Sequence, residues 1–206
     1  MRKILAFIFG NIMCFLIVTT MIDRKLMGKL VYMRLKGCSK KKFVVSRQNR
    51  IDFQTGYKCA AYSVAYLLRH YGIEANGNDI YTDMPNKMKN GCIYPIGIVH
   101  ILQSYGFQVK YCTGNLNALE NEICKGKPVI VMIRVRRDKN WLHYVPVVGF
   151  DERYMYIAES LEELVNYDGK FCNRRIEKED FLKLWNTSML RQPLYRNTFY
   201  VVEKGL

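Results

Sequence analysis

Apolar positions recur at helical spacing in three stretches of the chain, and strand-like patterns dominate the second half. From Cys59, the residues Ala61, Val64, Ala65, Leu68 and Tyr71 repeat at intervals of three and four. Gly72 follows as a stop, so a helix is predicted there. Pro95 to Tyr105 predicts a second helix, with Ile98, Ile101, Leu102 and Tyr105 on one face and Gly106 behind it. Leu116 to Lys125 predicts a third, closed by Gly126. Residues 73–94 read as loop, with a short helix around Ile80.

The remaining pattern has period two or is continuously apolar. Phe107 to Cys112 alternates, and Pro128 to Val135 is an apolar run, interrupted only at Arg134, typical of a central strand. Charged residues 136–140 turn the chain into His143 to Phe150, and residues 151–153 turn it again into Tyr154 to Ala158. Glu177 to Trp185 predicts a late helix with acids in its first turn, where they suit the dipole. Thr198 to Glu203 predicts a closing strand. Helices gathered ahead of an antiparallel meander define an α+β fold, a helical half followed by a sheet half.

Upstream of this domain, Ile4 to Ile22 is a run of nineteen residues without a charge, preceded by Arg2 and Lys3. That length spans a bilayer core as a helix. No small-x-small site stands near its end, so a membrane-spanning anchor is the expectation and a cleaved signal peptide, with secretion, the alternative. Residues 23–47 form a basic juxtamembrane segment in which Leu26, Leu30, Val31 and Met33 interleave with the charges. Either a short helix on anionic lipid or a solvated linker fits that pattern. The expected division is therefore 1–22 anchor or signal peptide, 23–47 linker and 48–206 folded domain. Eight Lys/Arg after the span favour a cytoplasmic domain, whereas a charged start before an apolar run is how exported proteins begin, so the side stays open.

The net charge of +14 belongs mostly to this N-terminal region. Residues 1–50 hold twelve Lys/Arg against one acid, and the rest holds twenty against seventeen. A nearly balanced globular part gives no nucleic-acid-binding face, and the basic end points to a membrane surface. The seven cysteines include no C-x-x-C pair and no Cys/His zinc spacing, so no metal and no cofactor are expected.

Candidate chemistry starts at Cys59. A thiol in the first turn of a helix sits at the positive end of the macrodipole, which favours the thiolate. Gln54, five residues upstream, supplies an amide for an oxyanion. Lys58 either holds the thiolate by charge or is a solvent-exposed side chain. Of the three histidines, His70 at the end of the first helix reads as an imidazolium complementing the dipole, and His100 as solvated. His143 opens a strand, W-L-H-Y-V-P-V-V-G, where it can reach a cleft. Glu159 lies sixteen residues on, after one hairpin, and adjacent antiparallel strands bring the two together. A carboxylate there orients the imidazole and stabilises its charged form. Asp151 reads as turn chemistry.

Thiol, imidazole, acid and amide in this order resemble the C39-like peptidases, bacterial members of the papain-like cysteine protease class. The matching positions are Gln54, Cys59, the H-Y-V-P-V-V-G strand from His143, and Glu159 in I-A-E-S. Further matches are Y-G-I after the first helix, G-K-P-V-I-V at the central strand and E-K-E-D-F-L-K-L-W late in the chain, over roughly residues 48–204. The resemblance implies a papain-like cysteine proteinase fold and hydrolysis of a peptide or protein substrate. The same site on the same fold also serves other acyl transfer, by a transferase or amidase, and a catalytically silent binding domain is the further alternative. Three departures are visible: Glu159 stands where Asp is usual, Lys58-Cys59-Ala60 replaces Asp-Cys-Gly, and no transporter domain follows.

Overall fold

A computed structural model of the chain describes residues 7–15, 26–33, 38–189 and 194–205. The elements in order are β1 (Leu30–Met33), β2 (Phe43–Val44), α1 (Cys59–His70), α2 (Gly77–Asp83), α3 (Pro95–Ser104) and β3 (Phe107–Gly114). There follow α4 (Leu116–Ile123), β4 (Val129–Arg136), β5 (Lys139–Phe150), β6 (Tyr154–Ile157), β7 (Arg174–Glu177), α5 (Lys178–Trp185) and β8 (Thr198–Lys204). The strands form one sheet in the order β1-β3-β8-β4-β5-β6-β7, with β2 added alongside β5. All pairings are antiparallel except β1 with β3.

Both faces of the sheet are covered, which explains the continuous apolar run of β4, residues 129–133. Ile130 and Met132 point to a core shared with Leu68, Ile98 and Leu102 of α1 and α3. Val129, Val131 and Ile133 point the opposite way, to Leu119 and Ile123 of α4 and to Phe181 and Trp185 of α5. Strands buried on two faces lose the polar alternation of a half-exposed sheet. The expected separation into a helical half and a sheet half is accordingly softened: three helices cover one face and two cover the other. The helix α1 is more deeply placed than its stripe implied, with nine of its residues buried, Tyr62, Ser63 and Tyr66 included. It stops at Gly72, whose φ of +86° suits a residue without Cβ, and the N–H of Ile73 returns to the Leu68 carbonyl.

The basic segment differs from both of its expected forms where it is described. Leu30–Met33 is neither a surface helix nor free linker but an edge strand registered against Tyr111–Gly114. Met27 is buried in the α1 core, and Tyr195 Oη reaches the Gly28 carbonyl. Leu30, Val31 and Met33 supply the apolar side chains that this packing uses. Further on, a Cys38–Cys124 disulfide ties the segment to the end of α4. Of the apolar run Ile4 to Ile22, residues 7–15 are helical and exposed, and the remainder lies outside the described residues. Among the described residues no helix is long and apolar enough to cross a membrane.

Candidate active site

Three elements converge on one point. The N-terminus of α1 carries Cys59, β5 carries His143, and the chain just past β6 carries Glu159. The bulged β5–β6 pairing continues beyond its last ladder residues through the Ala158 N–H to the Pro146 carbonyl. This brings Glu159 alongside the early part of β5. His143 Nε2 donates to Glu159 Oε1 at 2.7 Å, and both side chains are withdrawn from solvent. With Nε2 engaged, Nδ1 is the ring atom left for the hydrogen bond that His143 makes with the Cys59 thiol.

The charges of these groups follow from that geometry. Burial pushes the Cys59 thiol up, but the hydrogen bond and charge of His143, with the N–H groups of Tyr144 and Ala60, outweigh it. The thiol therefore lies below its ordinary value. Burial likewise disfavours the His143 imidazolium, yet the Glu159 carboxylate and Cys59 raise it to about 10. Glu159 is lowered to about 2: burial is overcome by His143, by Arg174 and by the Leu161 N–H. A thiol held low beside an imidazole held high favours a thiolate–imidazolium pair near neutral pH.

Gln54 is tied to the same place by a different route. Its N–H donates to the Ser160 carbonyl at 2.8 Å, and Ser160 Oγ donates to Gln54 Oε1 at 2.7 Å. Gln54 Nε2 donates to the Gly56 carbonyl at 2.7 Å, so one amide hydrogen is used within the loop that leads to Cys59. The second remains for a ligand.

Other sequence candidates go elsewhere. Lys58 Nζ donates to Asn78 Oδ1 at 2.8 Å and lies over the Tyr81 ring, so its charge is directed to α2 instead of the thiolate. His70 is lowered to about 4 by burial and by Arg47, which makes it a neutral imidazole near pH 7, contrary to the expected imidazolium. His100 is exposed and bonds Asn86. Asp151 accepts from the N–H groups of Arg153 and Tyr154 and from Tyr156 Oη, which is turn chemistry. Among the described residues, no group of three or more His, Cys, Asp or Glu could hold a metal ion.

Sequence reasoning missed the residues that hold Glu159 from behind. Arg174 Nη1 donates to Glu159 Oε2 at 2.7 Å. Asn173 grips the main chain of the same residue: its Oδ1 accepts the Glu159 N–H at 2.7 Å and its Nδ2 donates to the Glu159 carbonyl at 2.9 Å. The available signal was the alternation of R-R-I-E, which buries Arg174 and Ile176 and exposes Arg175 and Glu177.

The family model described as "Peptidase_C39 like family" matches residues 41–189. No curated protein matches the chain. Among solved structures, a C39-like peptidase from Bacillus anthracis aligns at a TM-score of 0.58 with 16% identity, over 80% of this chain and 98% of that one. The peptidase domain of Streptococcus ComA aligns at 0.56 with 16% identity, over 77% and 99%. The cysteine protease CMS1MS2 of Carica candamarcensis aligns at 0.55 with 12% identity, over 81% and 100%. These likenesses give a papain-like fold.

Proposed function

This chain belongs to the Peptidase_C39 like family, a cysteine-type peptidase, and we propose that Cys59, His143, Glu159 and Gln54 are the residues that hydrolyse its peptide substrate. The observation that carries this reading is the buried His143–Glu159 pair, 2.7 Å apart, with the Cys59 thiol beside the same imidazole. The Cys59 thiolate attacks the scissile carbonyl. The remaining Gln54 N–H and a main-chain amide at the start of α1 receive the oxyanion. His143 Nδ1 then passes its proton to the leaving amine, and the peptide nitrogen departs with a new N-terminus. A thioester joins the acyl half to Cys59. Water, deprotonated by His143, attacks that thioester and restores the thiolate–imidazolium pair. Glu159 keeps its charge throughout and fixes the ring so that Nδ1 faces the sulfur.

The test is digestion of a mixed peptide library, with new amine ends mapped by mass spectrometry. Wild type yields new N-termini, and Cys59→Ser and His143→Ala yield none. Cleavage that survives Cys59→Ser contradicts the assignment. Products capped by an added nucleophile, without free acid, indicate transfer instead.

We further propose residues 1–22 as a membrane anchor and 48–206 as the catalytic domain, with the basic segment at 23–47 partly built into the sheet. The uncharged run Ile4 to Ile22 supports the anchor, and residues 7–15 within it are helical with Phe7, Phe9 and Phe15 exposed. The Cys38–Cys124 disulfide supports an oxidising compartment for the domain, because such bonds do not persist in a reducing cytoplasm. Labelling of intact cells with a membrane-impermeant maleimide after mild reduction tests the side: modification of Cys38 and Cys124 is expected, and protection until lysis contradicts it.

A further inference from the structure

We propose that Arg174 is a positioning residue for the proposed catalytic acid, holding the Glu159 carboxylate so that one oxygen is presented to His143 while the buried site stays electrically neutral. This rests on the Cys59–His143–Glu159 reading above and adds a fourth charged member to it.

Two observations define the role. The first is the division of labour on Glu159. Oε1 accepts from His143 Nε2 at 2.7 Å and from the Leu161 N–H at 2.8 Å, and Oε2 accepts from Arg174 Nη1 at 2.7 Å. Asn173 already fixes both main-chain groups of Glu159. The main chain does not need Arg174, whose contact is confined to the carboxylate. A glutamate carries one more rotatable bond than an aspartate, and anchoring its far oxygen removes that freedom.

The second observation is the charge count. A thiolate, an imidazolium and a carboxylate together leave one uncompensated negative charge, and His143 and Glu159 are 2% and 0% exposed. An uncompensated buried charge is costly. Arg174, itself 9% exposed at the side chain, supplies the missing positive charge. The groups facing Glu159 are then His143 from β5, Arg174 from β7 and the Leu161 N–H. Those facing Cys59 are His143, the N–H groups of Tyr144 and Ala60, and the neighbouring Cys92 thiol. Arg174 also forms part of the wall of a cleft of about 610 Å³ between β7, α5 and the β4–β5 turn.

The experiment is the rate of Cys59 alkylation by iodoacetamide as a function of pH, in wild type, Arg174→Met and Arg174→Lys, in the full chain. Removing a cation from a site whose histidine is already protonated makes thiolate formation harder. The midpoint of the acid limb should rise by about one pH unit in Arg174→Met, a tenfold loss of labelling rate below it. Arg174→Lys keeps the charge and should move the midpoint by less. A purely structural role leaves the midpoint in place in folded protein, so an unchanged Arg174→Met profile overturns the proposal. If Arg174→Met does not fold, Arg174→Gln, which removes the charge but keeps a polar side chain, decides: a raised midpoint supports the role, an unchanged one overturns it. Wild-type protein separates the two readings. A wild-type Cys59 that alkylates like an ordinary thiol contradicts the active-site assignment itself, whereas a depressed wild-type midpoint that Arg174 variants do not move contradicts only the role of Arg174.

Discussion

Ser63 and Tyr144, 81 residues apart in the chain, are joined by a buried hydrogen bond: Ser63 Oγ donates to the Tyr144 carbonyl at 2.9 Å. Ser63 lies one turn into the helix that Cys59 opens, and Tyr144 follows His143. The bond therefore sets the nucleophile helix against the strand of the base. Ser63→Ala should lower stability by about 1 kcal/mol, the net worth of one such bond. It should also slow Cys59 alkylation at neutral pH several-fold. Urea unfolding and the alkylation rate, measured on the same preparation, check both effects.

Glu159 offers two distinct changes. Glu159→Asp withdraws the carboxylate by one C–C bond, about 1.5 Å, so it cannot serve His143 and Arg174 together. A misplacement of that size should cost roughly 10²-fold in kcat/KM. Glu159→Gln keeps the length and removes the charge that raises His143 to about 10. The imidazolium then loses its proton at lower pH, and the alkaline limb of kcat/KM moves down toward the ordinary histidine range. A pH–rate profile of each variant distinguishes geometry from charge.

The Cys38–Cys124 bond closes a separation of 86 residues. Chain-entropy reasoning assigns such a loop about 4–5 kcal/mol of stabilisation. Reduction, or the paired change Cys38→Ser with Cys124→Ser, should lower the unfolding midpoint while leaving the Cys59 pH profile unchanged, because the bond lies on the side of the sheet packed by α4. Thermal unfolding with and without reductant reads the effect.

Much of this architecture is legible in the sequence, for physical reasons that can be named. Helix α1 announced itself through the spacing of Ala61, Val64 and Leu68 and the stop at Gly72, and β4 through five consecutive apolar residues. Cys59, His143 and Glu159 stood out because a thiol opening a helix, an imidazole on a strand and an acid one hairpin later make one chemical set. What escaped was short or non-local. The strand Leu30–Met33 reads as a charged linker, since only pairing with residues some eighty positions later makes it a strand. The strand Arg174–Glu177 is so short and so charged that its alternation does not stand out, and burial of Arg174 makes sense only beside Glu159. Sequence adjacency to Cys59 says nothing of direction, which leaves Lys58 open between the thiolate and solvent: its stem turns toward Asn78.

A thiolate made by His143 shows in the pH dependence of alkylation, with the modified residue mapped by mass spectrometry. A Cys14→Ser background removes an exposed thiol. Burial pushes Cys112 and Cys172 up to about 12 and about 11, and burial together with Cys59 raises Cys92, so these remain unmodified in the acid range. Cys59 alone should be labelled there, with a midpoint below that of an ordinary thiol that returns upward in His143→Ala. A Cys59 midpoint that is ordinary, or that is unaffected by His143→Ala, would contradict it.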